Sequence, residues 1–326
     1  MKIWLSQLSL FALLFAVQTP AHSGLPDQAR CIAPAKPGGG FDLTCQLTSA
    51  ALLASGQTQQ ALPITYQPGG IGALAFRQAV TQQASDANTV IAFSSGSLLN
   101  LAQGRFGPYT NEDVRWLASI GLDHGVIAVH QDAPYKNLAQ LLSQLRTSPS
   151  SIAFGAGGSI GSQDWMKAAM LIRAAGVSHK LMRFVAFEGG GDAITALRGK
   201  HVQVLTGDAA EIARHIDQGA PIRVLAVLSE QRLPGRWAQT PTAREQGHDI
   251  RWPIIRGLYM GRAVNPQAQR EWANALAKAA AHSGFDTQLA KVGLQPAWLA
   301  GPELDKMIQH QIQLYRQLAL EFGLSR

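Results

Sequence analysis

The chain has 326 residues, of which 46% are hydrophobic and 15% charged, a composition that excludes a disordered or fibrous protein. Its formal charge is +7, from 28 Lys and Arg against 21 Asp and Glu, but the bases fall singly instead of gathering into runs, so nucleic acid is not an expected partner. With 32 glycines and only 7% aromatic residues, it suits an α/β protein with tight strand-to-helix turns, at a length that usually makes two domains.

Lys2, the apolar stretch Leu8 to Val17 and the small-residue site Ala21-His22-Ser23 predict a secretory signal peptide over residues 1–23. That stretch is shorter than the roughly 20 residues a spanning helix needs, and no later stretch is long and apolar enough. A cleaved, exported chain without membrane insertion is therefore expected, with charge +6 once Lys2 is removed. Next come a short strand, Arg30 to Ala33, carrying Cys31, and a helix after Gly40 with Cys45 in its first turn. In an oxidising compartment a Cys31–Cys45 bridge is geometrically possible and would stabilise by about 3 kcal/mol; two buried free thiols are the alternative. Their spacing fits no zinc motif, and neither metal nor cofactor is expected.

Further strands are predicted at Ile64 to Tyr66, Thr89 to Phe93, Val126 to His130, Ile152 to Phe154, Val202 to Leu205, Ile222 to Leu228 and Leu258 to Met260. Helices are predicted at Leu43 to Leu53, Ala73 to Gln83, Asn137 to Arg146, Ser162 to Ala175, Ala209 to Asp217 and Gln267 to His282. From Leu304, the apolar residues Leu304, Ile308, Ile312, Tyr315 and Leu318 recur on one face of a last helix. This alternation predicts parallel sheets covered by helices. The extended stretches Leu117 to Val126 and Trp252 to Leu258 read as two hinge crossings between lobes.

Glycine-rich turns punctuate the chain: Pro37-Gly38-Gly39-Gly40-Phe41-Asp42, Gln67-Pro68-Gly69-Gly70-Ile71-Gly72, Ser94-Ser95-Gly96-Ser97, Gly155-Ala156-Gly157-Gly158-Ser159 and Gly189-Gly190-Gly191-Asp192. Turns of this kind gather at one edge of a parallel sheet, and helix N-termini behind them offer unpaired N–H groups to an anion. The first is not a dinucleotide fingerprint, because Leu43 stands where its third glycine should be, and no Lys-Ser/Thr follows to make a phosphate loop. Asp42 is placed either to cap the following helix or to touch a ligand. Gly157-Gly158-Ser159-Ile160-Gly161 also matches a nucleophile elbow, with Ser159 as the nucleophile of a secreted hydrolase. Its partners would have to be Asp192 or Asp208 with His201, His215 or His248, none of them in a marked position.

The first two turns, together with Gln239-Thr240-Pro241-Thr242-Ala243-Arg244-Glu245-Gln246-Gly247 and with Phe187-Glu188-Gly189-Gly190-Gly191 leading to Leu205-Thr206-Gly207-Asp208, closely resemble the substrate-binding receptors of tripartite tricarboxylate transporters, the Bug family. The resemblance covers essentially the whole mature chain. It implies an α/β, two-lobed type II periplasmic-binding-protein fold and no enzymatic activity. Lobe 1 would comprise residues 24–122 plus 255–326, and lobe 2 residues 123–254. It further implies a monomer in the periplasm that takes a small carboxylate in the interlobe cleft and delivers it to membrane permease subunits; a sensor that presents its closed form to a kinase is the alternative. Carried over by position, the ligand contacts would be Gly39, Gly40, Phe41, Asp42, Ser95 and Ser97 from the first lobe, and Ser159, Ser162, Phe187 and Asp208 from the second. Ser162 would also cap the helix it begins. The chain departs from the family at Phe187-Glu188, where Tyr with Lys or Arg is common, and at Asp192, where Pro is usual. Both changes add negative charge near the expected cleft and imply a ligand less anionic than a tricarboxylate, or one carrying an amino group. Cys31 and Cys45 are absent from many relatives and suggest a subgroup with a bridged first loop.

Overall fold

The computed structural model describes residues 24–324, so the expected signal peptide lies outside the described residues. The chain begins with β1 (Arg30–Ala33), α1 (Gly40–Ala54), β2 (Ile64–Tyr66), α2 (Ala73–Thr81), β3 (Thr89–Ser94), α3 (Ser95–Ala102) and β4 (Val114–His124). There follow β5 (Val126–His130), α4 (Leu138–Thr147), β6 (Ala153–Gly157), α5 (Gln163–Ala174), β7 (Arg183–Phe187), α6 (Gly190–Arg198), β8 (Val204–Leu205), α7 (Ala209–Asp217) and β9 (Ile222–Val227). The last part holds β10 (Pro253–Gly261), α8 (Pro266–Ala281), α9 (Phe285–Lys291), β11 (Leu299–Ala300) and α10 (Gly301–Glu321).

These elements form two sheets, ordered β11-β4-β10-β3-β1-β2 and β7-β6-β8-β5-β9, which define two lobes. In the first, β1 runs parallel to β2 and β3 while β10 is antiparallel to β3 and β4; in the second, β6 runs parallel to β7 and β8 while β5 is antiparallel to β8 and β9. Parallel strands covered on both faces need unbroken apolar runs. Thr89 to Ser94 and Ala153 to Gly157 are buried at every position.

The lobes meet where β4 passes into β5 through Gly125 and where β10 returns. Gly125 N donates to Trp252 O at 2.9 Å and Leu228 N donates to Gly125 O at 2.8 Å, which ties the strands together at the crossing. A Cβ on Gly125 would lie 2.6 Å from Lys167 Cδ, so only glycine fits there. The extended crossings are ordered strands: β4 and β10 pair from Pro253↔His124 to Gly261↔Val114, with irregularities at Arg256/Gly257 and Leu258/Tyr259. Only Leu258 to Met260 reads as strand in the sequence, because Arg256 and Gly257 interrupt the apolar pattern. Ser94-Ser95-Gly96-Ser97 is not a loop: Ser94 ends β3 and the next three residues open α3. A reciprocal capping box starts that helix, with the Ser94 side chain on the first-turn backbone and Ser97 Oγ accepting from Ser94 N at 3.3 Å.

Cys31 and Cys45 form a disulfide with a Cα–Cα distance of 5.7 Å, tying β1 to the first part of α1. Helix α10 buries Leu304, Ile308, Ile312, Tyr315 and Ala319 on one face. Tyr315 stacks on Trp252 at 5.7 Å, and Phe322 beyond the helix meets Trp165 at 6.0 Å, so the last helix spans from the first lobe to the second. Among the described residues, no helix is long and apolar enough to cross a membrane.

Candidate ligand-binding site

Five helices begin at the seam between the lobes. Residues at their N-termini line a chamber of about 50 Å³: Gly39 and Gly40 of α1, Gly96 of α3, Ser162 and Gln163 of α5, Gly189 and Gly190 of α6, and Asp208 and Glu211 of α7. Each N-terminus carries roughly half a positive charge, so what fills its first-turn N–H groups decides what the chamber binds. Helices α3 and α5 are capped by their own serines: Ser94 Oγ accepts from Gly96 N at 3.2 Å and Ser162 Oγ from Trp165 N at 3.3 Å. At α7, Ala210 N donates to the carboxylate of Asp123 at 3.1 Å. Helices α1 and α6, from opposite lobes, are preceded by Gly39 and Gly189 and have no side-chain cap. Their ends nearly touch, since a Cβ on Gly39 would lie 3.8 Å from Gly191 N and 3.9 Å from Gly190 N. The chamber opens past Ile71, Asn100 and Ser162 into an outer one of about 720 Å³, lined also by Ser159, Phe187 and Glu188.

Beneath the inner chamber lies a buried ion network. Arg256 Nη2 donates to Asp123 at 2.5 Å and to Asp208 at 2.8 Å, and its Nη1 packs so closely on Gly40 that a Cβ there would collide with it. The Lys167 ammonium donates to Gly207 O and Asp208, both at 2.8 Å, and pairs with Asp164 at 2.8 Å. Burial alone would lower the Lys167 pKa, but Asp164 and Asp208 outweigh it and hold the ammonium charged. For Asp208, burial is likewise outweighed, by Lys167 and Arg256, and its pKa falls. Glu211 has no such partner among the described residues. It is 4% exposed, its Oε1 makes no hydrogen bond, and burial followed by the charges of Asp208 and Asp164 raises its pKa well above the carboxylate range.

Of the residues expected at the site, Gly39, Gly40, Phe41, Ser162 and Asp208 line the inner chamber, and Ser159, Ser162 and Phe187 the outer one. Three side chains are committed elsewhere. Asp42 is not the helix cap: it sits in the first turn of α1, buried, accepting from Gly38 N, Gln46 and Tyr66 and pairing with Arg214 at 3.2 Å. Ser95 Oγ accepts from Ile255 N at 3.0 Å, and Ser97 is held in the capping box of α3. The Asp208 carboxylate belongs to the ion network, and Ser162 both caps α5 and faces the cleft. Asp192, expected to charge the cleft, pairs at the surface with Lys36 at 3.0 Å, whereas Glu188 does reach the outer chamber.

Sequence reasoning missed Glu211, Arg256, Asp164, Lys167 and Asp123. A lysine inside the apolar stretch Trp165 to Ile172 and an arginine inside the strand Ile254 to Met260 were visible signals of buried charge. The nucleophile elbow does not assemble. Ser159 Oγ accepts from Arg105 Nη1 at 2.9 Å, and His215 Nε2 is bonded to Gly38 O at 3.1 Å. Arg105, Gln103 on Gly161 O at 2.8 Å, Lys36 and Arg214 all bridge the lobes, so the cleft is closed.

Two α/β lobes joined by strands, with helix N-termini converging between them, define the class of two-lobed periplasmic binding proteins. The solved structures agree: the periplasmic binding protein BugD superposes with a TM-score of 0.81 at 17% identity, covering 91% of this chain and 98% of its own. MatC from Rhodopseudomonas palustris with bound malate superposes with a TM-score of 0.76 at 21% identity, over 89% of this chain and 98% of its own. The chain belongs to the tripartite tricarboxylate transporter family receptors, whose pattern matches residues 48–324. It is 23% identical to a UPF0065 protein of Bordetella pertussis, over 98% of this chain and 97% of that protein. These are substrate-binding receptors, not enzymes.

Proposed function

We propose that this protein is a periplasmic receptor that captures a small carboxylate between its lobes and delivers it to the membrane permease of a tripartite tricarboxylate-type transporter. The observation that carries this reading is the pair of uncapped N-termini of α1 and α6, facing each other from opposite lobes across the inner chamber. A ligand carboxylate there accepts from N–H groups of both lobes at once, and only in the closed state, which is what couples binding to closure. Malate bound to MatC is in keeping with this ligand class. The lobes comprise residues 24–122 plus 255–326 and residues 123–254, and the chain acts as a monomer after removal of residues 1–23. Gly39, Gly40 and Phe41 supply first-lobe backbone contacts, Ser159, Ser162 and Phe187 second-lobe ones. Asp42, Ser95, Ser97 and Asp208 act by holding the frame. The test is thermal unfolding of the mature chain with mono-, di- and tricarboxylates and amino acids. A true ligand at a hundred times its Kd stabilises by about 2.7 kcal/mol, and a panel without any stabilising member would refute the reading.

A further inference from the structure

We propose that the turn Phe322-Gly323-Leu324, beyond α10, is a latch: carried by the first lobe, it grips the second and must let go before the cleft opens. The inference rests on the reading above, a receptor whose lobes close on a ligand, and adds what holds them shut.

Local rules at the end of α10 build the latch. Gly323 N donates to Leu320 O at 3.0 Å and Leu324 N to Ala319 O at 2.9 Å, with Gly323 at φ +68°, so the helix finishes in a Schellman turn. The two apolar residues flanking that glycine meet different targets. Phe322, 5% exposed, is packed on the second lobe, its ring edge-on to Trp165 at 6.0 Å and to His179 at 5.2 Å. The Arg173 guanidinium lies 4.6 Å over the same ring and also reaches Glu321 at 3.4 Å. Trp165 and His179 touch each other at 5.6 Å, so the seat for Phe322 is formed by the second lobe itself. Leu324 lines the outer chamber together with Arg105, Ser159 and Phe187.

Position decides between a latch and a passive anchor. Helix α10 follows β11 of the first sheet and packs on α3 and β4, with Leu304, Ile308 and Ile312 buried on that face. Tyr315 then stacks on Trp252 at the crossing between the lobes. Phe322 comes about two turns later, roughly 10 Å further along the helix axis. A lobe rotation of about 15° around the crossing moves a point on that lever arm by roughly 3 Å. The Trp165 pair would then pass from 6.0 Å to about 9 Å, beyond the roughly 7 Å within which rings attract. A helix seated on the first lobe cannot follow the second through such a rotation. Leu324 places the turn on the cleft side of the crossing, beside the Arg105 to Ser159 bond that spans the mouth. Contacts of this kind exist only after closure, so they slow release and leave capture by the open form unchanged.

The experiment is stopped-flow release of malate from the mature, disulfide-bonded chain, compared among wild type, Phe322→Ala and Leu324→Ala. If malate does not raise the thermal midpoint, the carboxylate of the panel that raises it most takes its place. Phe322→Ala is expected to speed release at least about tenfold and Leu324→Ala about threefold, with association within about twofold of wild type. Thermal midpoints of the ligand-free chains show whether each variant folds. Leu324 is only partly buried, so its variant decides if Phe322→Ala does not fold. Release within about twofold of wild type in every folded variant overturns the inference and leaves the receptor reading intact. Association slowed as much as release is speeded also overturns it, because a latch acts after closure. If no carboxylate binds, the carboxylate reading falls by itself, and small-angle scattering of the ligand-free chains decides on the latch. A larger radius of gyration in the variants than in wild type supports it, and identical curves overturn it.

Discussion

Helices α1 and α7 both begin at the inner chamber, yet they are finished in opposite ways. Helix α1 starts from Gly39 without a side-chain cap, and the acid in its first turn, Asp42, is turned away onto Gly38 N, Gln46, Tyr66 and Arg214. Helix α7 is crowded with the protein's own carboxylates: Asp208 precedes it, Glu211 stands in its first turn and Asp123 accepts from Ala210 N. A helix N-terminus is an anion site only where the chain leaves it empty. In this cleft one end is left open to a ligand's carboxylate, and the other has been converted into an acidic wall.

The largest effect should come from breaking that wall's internal balance. Arg256→Met leaves Asp123 and Asp208 buried without their guanidinium, at an expected cost of about 3–5 kcal/mol in urea unfolding. A loss below about 1 kcal/mol would mean that the network is not held by this residue. On the α1 side, reduction of Cys31–Cys45 should cost about 3 kcal/mol, and because the bridge tethers α1 to β1 it should also weaken ligand binding. Unchanged affinity in the reduced, folded protein would show that the open end of α1 is positioned without it.

A third test follows the proton. The folded protein holds a proton on Glu211 that the unfolded chain releases in the ordinary carboxylate range, because burial, then Asp208 and Asp164, raise its pKa. Glu211 therefore makes ligand-free stability decline as pH rises from about 4.5 through that raised value, and Glu211→Gln should flatten the profile. Parallel stability profiles for variant and wild type between about pH 5 and pH 8 would contradict this. The smallest effect is expected from Arg105→Ala, which removes exposed bonds to the Ser159 hydroxyl and the Ile160 carbonyl across the cleft mouth. Below about 1 kcal/mol in stability is expected, with a faster ligand release visible in stopped-flow fluorescence.

The open half of this comparison was legible in the sequence, and the acidic half was not. Triple glycines at 38–40 and 189–191 announce backbone close to a ligand whatever surrounds them, because the signal is local. The helix-covered sheets were legible from the alternation of apolar strands and amphipathic helices, and the two lobes from the chain length and the two extended crossings. Glu211 looks ordinary in the sequence, since an acid three residues after Asp208 at a helix start is the usual capping pattern. What sets it apart is the absence of a partner, and that depends on Arg256 and Lys167 being taken by acids brought in from distant parts of the chain, Asp123 among them. Ser95 escapes a sequence reading for the same reason: its hydroxyl is claimed by Ile255 N, 160 residues away in sequence.

Backbone amide NMR on the deuterated mature chain tests most directly whether a ligand carboxylate is held by the uncapped N-termini of both lobes. Titration with a carboxylate that raises the thermal midpoint should shift the amide resonances of Gly40, Phe41, Gly190 and Gly191 together, saturating with one affinity. A ligand that binds while leaving the amides of either α1 or α6 unmoved would contradict the account.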